Sequence, residues 1–397
     1  MGRKMTVEDI EVSSRRVLLR VDFNVPLDEK TGEITDDSRI RASLPTIKYL
    51  LEHGARLVLL SHMGRPKGKV VEELRLAVAA ERLSQILGKP VSAAPDCIGP
   101  EVEKAVADLK NGDVLLLENL RFHSGEEAGD LTFAEALASL GDIYVNDAFA
   151  TSHRAHASIV GITHHLSAVA GFLMEKEIKN LSSILESPAH PFAALLGGAK
   201  ISDKVAMLEN IMSKVDLLLI GGGMAATFLK AKSCEIGLSL VETEMLETAA
   251  RLIEKADKEK TRLLLPGDVV VADELSNEAE TMVVAVENIP KDSRIVDIGP
   301  RTIADFSKEL QNCRTVFWNG PMGIYEIPGF ARGTRELARS VAGLNATTVI
   351  GGGSTAEAVN EMGLTDKMTF ASTGGGASLE FLGGETLPGV AVLPDKQ

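Results

Sequence analysis

The chain alternates short, nearly unbroken apolar runs with segments whose apolar positions recur every three or four residues. Runs at 16–21, 56–60, 114–117 and 143–145 each lead into a polar or glycine-bearing stretch, with helical spacing at 41–53, 72–87 and 133–140. A short apolar run bounded in this way reads as a strand buried on both faces, and the longer spacing as an amphipathic helix. Their alternation predicts parallel strands flanked by helices.

The second half keeps the rhythm with different punctuation. Its strand ends fall at 196–198, 220–223, 265–268, 298–300, 318–321, 350–353 and 372–376, nearly all in glycine. Between the halves, 172–186 is charged and helical in pattern, and Ser187-Pro188-Ala189-His190-Pro191 closes it, since proline stops a helix and stiffens the entry to the next strand. The fold expected is α/β: two doubly wound, Rossmann-like parallel-sheet domains joined by a hinge helix. The expected bounds are 1–172 and 191–385, with 173–190 as hinge helix and linker.

One stretch concentrates candidate chemistry. Leu195-Leu196-Gly197-Gly198-Ala199-Lys200-Ile201-Ser202-Asp203-Lys204 reads as a strand, a glycine turn and a helix running from 201 to 211. That reading puts two lysines in a first helical turn, where the macrodipole disfavours cations. Backbone N–H groups and ammoniums converging there suit a phosphoryl group, although solvated lysines are an equally common outcome.

Length and charge narrow the class. At 397 residues the chain is long for one core, and its net charge of −14 excludes a general coat for nucleic acid or an anionic membrane. Three distant cysteines, Cys97, Cys234 and Cys313, show neither a disulfide framework nor zinc spacing. No apolar run reaches membrane-spanning length and the start lacks a signal-peptide pattern, so a cytoplasmic location is expected.

Ligands of open α/β sheets bind beyond the carboxyl ends of the strands. In the first half those ends carry Asp22, Asn24, His62, Arg65 and Arg121, with Arg39 before a helical pattern and Arg154 in a nearby loop; His153 and His156 are weaker candidates. Cations gathered there suit a small ligand with more than one anionic group, though a lone arginine is more often a surface ion pair. In the second half, glycine turns can approach a phosphate chain. Two of them, Gly221-Gly222-Gly223-Met224-Ala225-Ala226 and Gly351-Gly352-Gly353-Ser354-Thr355-Ala356, also fit a loose dinucleotide fingerprint, which leaves an NAD-dependent dehydrogenase as the alternative. Glu242 and Glu244 are the acidic residues near the distance that fingerprint asks for. No Walker A sequence or protein-kinase signature set is present.

Several strings together resemble the phosphoglycerate kinase family along essentially the whole chain. They are Arg20-Val21-Asp22-Phe23-Asn24-Val25-Pro26, Ser61-His62-Met63-Gly64-Arg65-Pro66, Glu118-Asn119-Leu120-Arg121-Phe122, Leu196-Gly197-Gly198-Ala199-Lys200, Trp318-Asn319-Gly320-Pro321-Met322-Gly323 and Ser372-Thr373-Gly374-Gly375-Gly376-Ala377-Ser378. The resemblance implies reversible phosphoryl transfer between 1,3-bisphosphoglycerate and ADP, giving 3-phosphoglycerate and ATP with Mg2+, in a cytoplasmic, hinge-closing monomer without nucleic-acid or membrane partners. It implies a phosphoglycerate site of Asp22, Phe23, Asn24, Arg39, His62, Met63, Gly64, Arg65, Arg121 and Arg154. A nucleotide site would comprise Gly198, Ala199, Lys204, Gly222, Asn319, Pro321, Glu326 as ribose acceptor, and Gly351, Gly352, Gly353, Ser354 and Thr355. Gly374, Gly375 and Gly376 would form a turn near the phosphates. Arg39, Lys200 and Lys204 would be catalytic, and residues 386–397 would return to pack on the first domain.

One position departs from the family pattern. Ser354 stands where the family usually has a magnesium-ligating aspartate. Its spacing to Glu357 is that of a capping box opening a helix at Thr355, and a magnesium contact through its hydroxyl is the further expectation. A catalytically silent, ligand-binding relative is a third class; Arg39, Lys200 and Lys204 argue against it.

Overall fold

Arg16–Arg20 (β1), Arg56–Leu60 (β2), Ser92–Ala93 (β3), Val114–Leu116 (β4), Ile143–Asn146 (β5) and Ala168–Ala170 (β6) form one sheet of spatial order β3-β4-β2-β1-β5-β6. Every pairing in it is parallel. Val17, Leu18 and Leu19 are fully buried on both faces, which is why these strands read as unbroken apolar runs. The computed structural model describes residues 2–396.

A second parallel sheet, order β15-β14-β13-β7-β8-β9, is built from Phe192–Leu196 (β7), Leu217–Ile220 (β8), Arg262–Leu264 (β9), Thr315–Asn319 (β13), Thr347–Gly351 (β14) and Phe370–Ala371 (β15). A third sheet departs from the sequence expectation. Asp268–Ala272 (β10) lies between Thr281–Ala285 (β11) and Arg294–Ile298 (β12), antiparallel to both. The stretches between these strands are too short for the helical crossover a parallel neighbour requires, so the strand ending at 298 is not another parallel repeat.

The chain divides into two units, residues 2–179 with 386–396, and residues 180–385. The division falls inside the helix Phe172–Glu186, whose opening Leu173 and Met174 N–H groups donate to Asp147 Oδ1 at 2.9 and 3.2 Å. Residues 386–396 join the first unit through Gly389 N–H to Ser152 O (2.8 Å), Met5 N–H to Pro394 O (2.9 Å) and Lys4 Nζ to Leu393 O (2.8 Å).

Helix boundaries differ in two informative places. The expected 41–53 helix is two, Ser38–Ala42 and Leu44–Glu52, because Pro45 supplies no N–H to continue the first and suits the first turn of the second. The helix expected from 201 begins only at Val205, with Lys204 at its cap position. The carboxylate of Glu242 accepts from Ile201 N–H (2.5 Å) and Ser202 N–H (3.2 Å), holding those residues in a turn. Lys200 and Lys204 therefore do not share a first helical turn. No described helix is long and apolar enough to cross a membrane.

Candidate active site

In the first unit the loops leaving β1, β2 and β4 are tied to one another. Ser61 Oγ accepts from Phe23 N–H at 2.9 Å, Asn24 Oδ1 from Gly64 N–H at 2.8 Å, and the Asn119 amide donates to Met63 O at 2.8 Å. Arg121 Nη1 donates to Gly64 O at 2.7 Å. Asp22 accepts from Arg39, and His62 Nδ1 lies 4.0 Å from the same carboxylate. Asp22, Asn24, Arg39, His62, Gly64 and Arg121 are thus brought together. Phe23 and Met63 are core side chains, 0% and 1% exposed, that offer only backbone to this end of the sheet. Arg65 is exposed and Arg154 half-buried.

Burial and crowded positive charge define the electrostatics. Burial, then Arg20, Arg121 and Arg39, push His62 well below the usual imidazole range. His156 is pushed down to about 4 by burial, then by Arg121, Arg20 and Arg154. Burial first, with Arg20 and Arg154 adding to it, lowers even Arg121. Buried groups crowded by arginines form a site where an anion with two charged ends relieves repulsion at several places at once.

A residue absent from the sequence inventory stands behind this pocket. Arg20, 1% exposed, donates from Nε to Ser158 Oγ (3.0 Å), and its Nη2 lies 3.2 Å from His62 Nδ1. Ser158 Oγ in turn donates to the fully buried Glu126 at 2.6 Å. The signal was present: an arginine ending a doubly buried strand needs a partner inside the protein.

In the second unit, the turns after β7, β8 and β13 pack against each other. A Cβ on Gly222, whose φ is +63°, would fall 2.5 Å from Gly198 N and 2.8 Å from Pro321 O. The N–H groups of Gly198 and Gly222 are already donated to Pro321 O and Met322 O, at 2.9 and 3.0 Å. These glycines serve the close approach of three turns, and their N–H groups are not available to a phosphate. The turns wall a cleft of about 590 Å³ that includes Gly198, Ala199, Gly222, Pro321, Glu326 and Ser354. Leu238, Ile298 and Met322, which sequence reasoning did not select, give it apolar walls.

A second cluster centres on Asn319. Its Oδ1 accepts from Lys204, which leaves Nδ2 buried without a partner among the described residues and turned to the glycine turn, where a Cβ on Gly352 (φ +87°) would meet it at 2.9 Å. Thr355 Oγ1 accepts from Gly320 N–H at 2.6 Å, which locks that turn to β13. Burial depresses Lys204 to about 8. The helix Gly353–Glu361 starts one residue before Ser354, with Gly352 as N-cap and no side-chain cap bond. Ser354 is therefore not the cap: three glycines allow the backbone to turn helical earlier than a Ser-to-Glu spacing suggests. Gly351 ends β14, Gly353 opens that helix, and Gly374, Gly375 and Gly376 follow β15; neither these last three nor the exposed Lys200 lines the cleft.

Two α/β units, one with a cationic pocket at its strand ends and one with a glycine-walled cleft beside a buried lysine, describe an enzyme for small anionic substrates. A sequence model of the family described as phosphoglycerate kinase matches residues 7–385. The phosphoglycerate kinase of Moorella thermoacetica is 54% identical over 393 residues, covering 99% of this chain and all of the relative, and that of Chlorobium limicola is 55% identical over 397 residues with 99% and 100% covered. The solved phosphoglycerate kinase of Coxiella burnetii superposes with a TM-score of 0.86 at 42% identity, covering 98% of both chains. The chain belongs to the phosphoglycerate kinase family. The dehydrogenase alternative falls with this, and the geometry concurs, since Glu242, its candidate ribose acceptor, is committed to Ile201 and Ser202.

Proposed function

We propose that this chain is a glycolytic phosphoglycerate kinase, transferring a phosphoryl group reversibly between 1,3-bisphosphoglycerate and ADP to give 3-phosphoglycerate and ATP. The observation that carries the assignment of substrate to the first unit is the gathering of Asp22, Asn24, Arg39, His62 and Arg121 around one set of strand ends. Asp22, Asn24, Arg39, His62, Arg65, Arg121 and Arg154 hold the phosphoglycerate, each charge-assisted bond contributing about 1.5–3 kcal/mol. Phe23, Met63 and Gly64 shape the site through backbone.

Gly198, Ala199, Gly222, Pro321 and Glu326 line the nucleotide's cleft, with Glu326 accepting from the ribose. Lys204, Asn319 and the turn 351–355 face its phosphates, where the unpartnered Asn319 Nδ2 is a donor in waiting. The transferring phosphoryl carries its charge on equatorial oxygens, so positioning and electrostatic stabilisation are the protein's tasks. Arg39 from one unit and Lys200 with Lys204 from the other supply that charge. The two ligands must meet in line, so a hinge-closing motion that excludes water belongs to the proposal. The turn Gly351-Gly352-Gly353-Ser354-Thr355 holds a single neutral hydroxyl at the family's magnesium position and no carboxylate, which does not make a magnesium cage by itself. Mg2+ arrives as part of the nucleotide substrate. A cytoplasmic monomer completes the reading.

The test is phosphorylation of 3-phosphoglycerate by Mg-ATP, followed by reductive coupling of the 1,3-bisphosphoglycerate formed. Turnover lost in Lys200→Ala supports the assignment. Absence of turnover in the native chain, with the coupling enzyme verified, overturns it in favour of a ligand-binding relative.

A further inference from the structure

Beyond the kinase chemistry, the loops that follow β3 and β4 bring together a mixed set of ligating side chains. Asp96, Cys97 and His123 each direct a ligand atom to one place, with all three atoms within 4.8 Å of one another. We infer that Asp96, Cys97 and His123 form a binding site for a borderline divalent cation, zinc(II), with water in the fourth position.

The arrangement is held before any ion arrives. Ala94 N–H donates to Leu116 O at 2.9 Å and Glu118 N–H to Asp96 O at 3.3 Å, joining the two loops by backbone. His123 is stacked on Phe133 with ring centroids 5.3 Å apart, and its Nε2 lies 2.7 Å from Asp96 Oδ1. The same oxygen accepts from Cys97 N–H at 2.6 Å. The Cys97 side chain is fully buried, while His123 and Asp96 are 31% and 48% exposed, so the thiol is the inner member of the trio and the imidazole and carboxylate form its solvent-facing rim. The rim gives an ion a way in and leaves room for water.

Charge favours a cation there. The Asp96 carboxylate stands beside both the thiol and the imidazole. Thiolate, imidazole and carboxylate are the donor types zinc takes, at about 2.0–2.3 Å, which places tetrahedral ligand atoms about 3.3–3.7 Å apart. Closing the longest edge of the triangle asks for about an ångström of side-chain movement. On binding, Cys97 loses its S–H proton to solvent, the imidazole proton shifts to Nδ1, and Nε2, Sγ and a carboxylate oxygen coordinate.

This site is independent of the kinase reading and is tested without nucleotide. Chelator-treated protein is titrated with Co2+ and then with Zn2+. The expected result is one equivalent of cobalt with a thiolate-to-cobalt charge-transfer band in the near ultraviolet, displaced by zinc. Cys97→Ser should abolish the band and His123→Ala weaken affinity at least about tenfold. Cys234→Ser, whose thiol lies in the other unit, should change nothing. A band that survives Cys97→Ser, no band in the native protein, or unchanged affinity in His123→Ala overturns the site. His123→Ala alters the rim, so it reads the same site if Cys97→Ser fails to fold.

Discussion

Lys204 sits where burial and function oppose each other. Its side chain is 9% exposed, and burial depresses it from 10.5 to about 8. Between those values the unfolded chain holds a proton that the folded chain has lost, so folding stability contributed by this residue rises with pH. Below about pH 8 the folded state bears the cost of a buried ammonium, and above 10.5 that cost is gone. One pKa unit corresponds to about 1.4 kcal/mol, so the full change is about 3 kcal/mol. Trp318, the only tryptophan, is fully buried in β13 beside Asn319, so its fluorescence follows unfolding of the same unit. Urea titrations of the native chain and Lys204→Met at pH 7, 8, 9 and 10 isolate the effect, because other titrations cancel in the difference. Stability of the native chain relative to the variant should climb by about 2.5 kcal/mol across that range, most of the full change. A flat or falling difference would refute the reasoning. Activity should move oppositely: above pH 8 a neutral amine no longer attracts phosphate, and the nucleotide KM should rise toward about tenfold per pH unit.

The site leads to three further expected outcomes. Lys200→Ala should lower kcat about 100-fold with little change in either KM, as for a group that acts on the transition state; a KM effect alone would contradict its role. Ser354→Asp should lower the magnesium concentration needed for half-maximal rate, and an unchanged magnesium titration would show that this position does not set the requirement. Glu242→Ala leaves the Ile201 and Ser202 N–H groups without their acceptor and should destabilise the second unit by about 3 kcal/mol in urea unfolding, with kcat reduced through the loosened Lys200 turn.

The parallel strands were legible because both of their faces are buried, which leaves apolar runs with no polar interruption. Asp22, His62 and Arg121 were legible as site residues because polar chemistry at the carboxyl end of such a run has few structural uses. The turn at 201–204 was not, because the carboxylate that shapes it comes from Glu242, far along the chain, and local spacing fits a helix equally well. Ser354 misled for a related reason: its spacing to Glu357 suits a cap, but glycine at 351–353 lets the helix begin earlier. Arg20 was visible yet unassigned, since only the fold reveals that its partners are His62 and Ser158. The antiparallel β10–β12 sheet looked like more of the same rhythm, because strand direction depends on connection length more than on the strands' own residues.

The first unit includes residues 386–396, whose backbone and side chains bind Lys4, Met5 and Ser152. A ribosome releases those residues only after the entire second unit has been made. The half begun first therefore reaches its final form only after the other has been made, whereas the interrupting half has all its strands in hand earlier. A chain truncated after residue 385 should accordingly resist protease across 192–371 while the earlier residues are more readily cut.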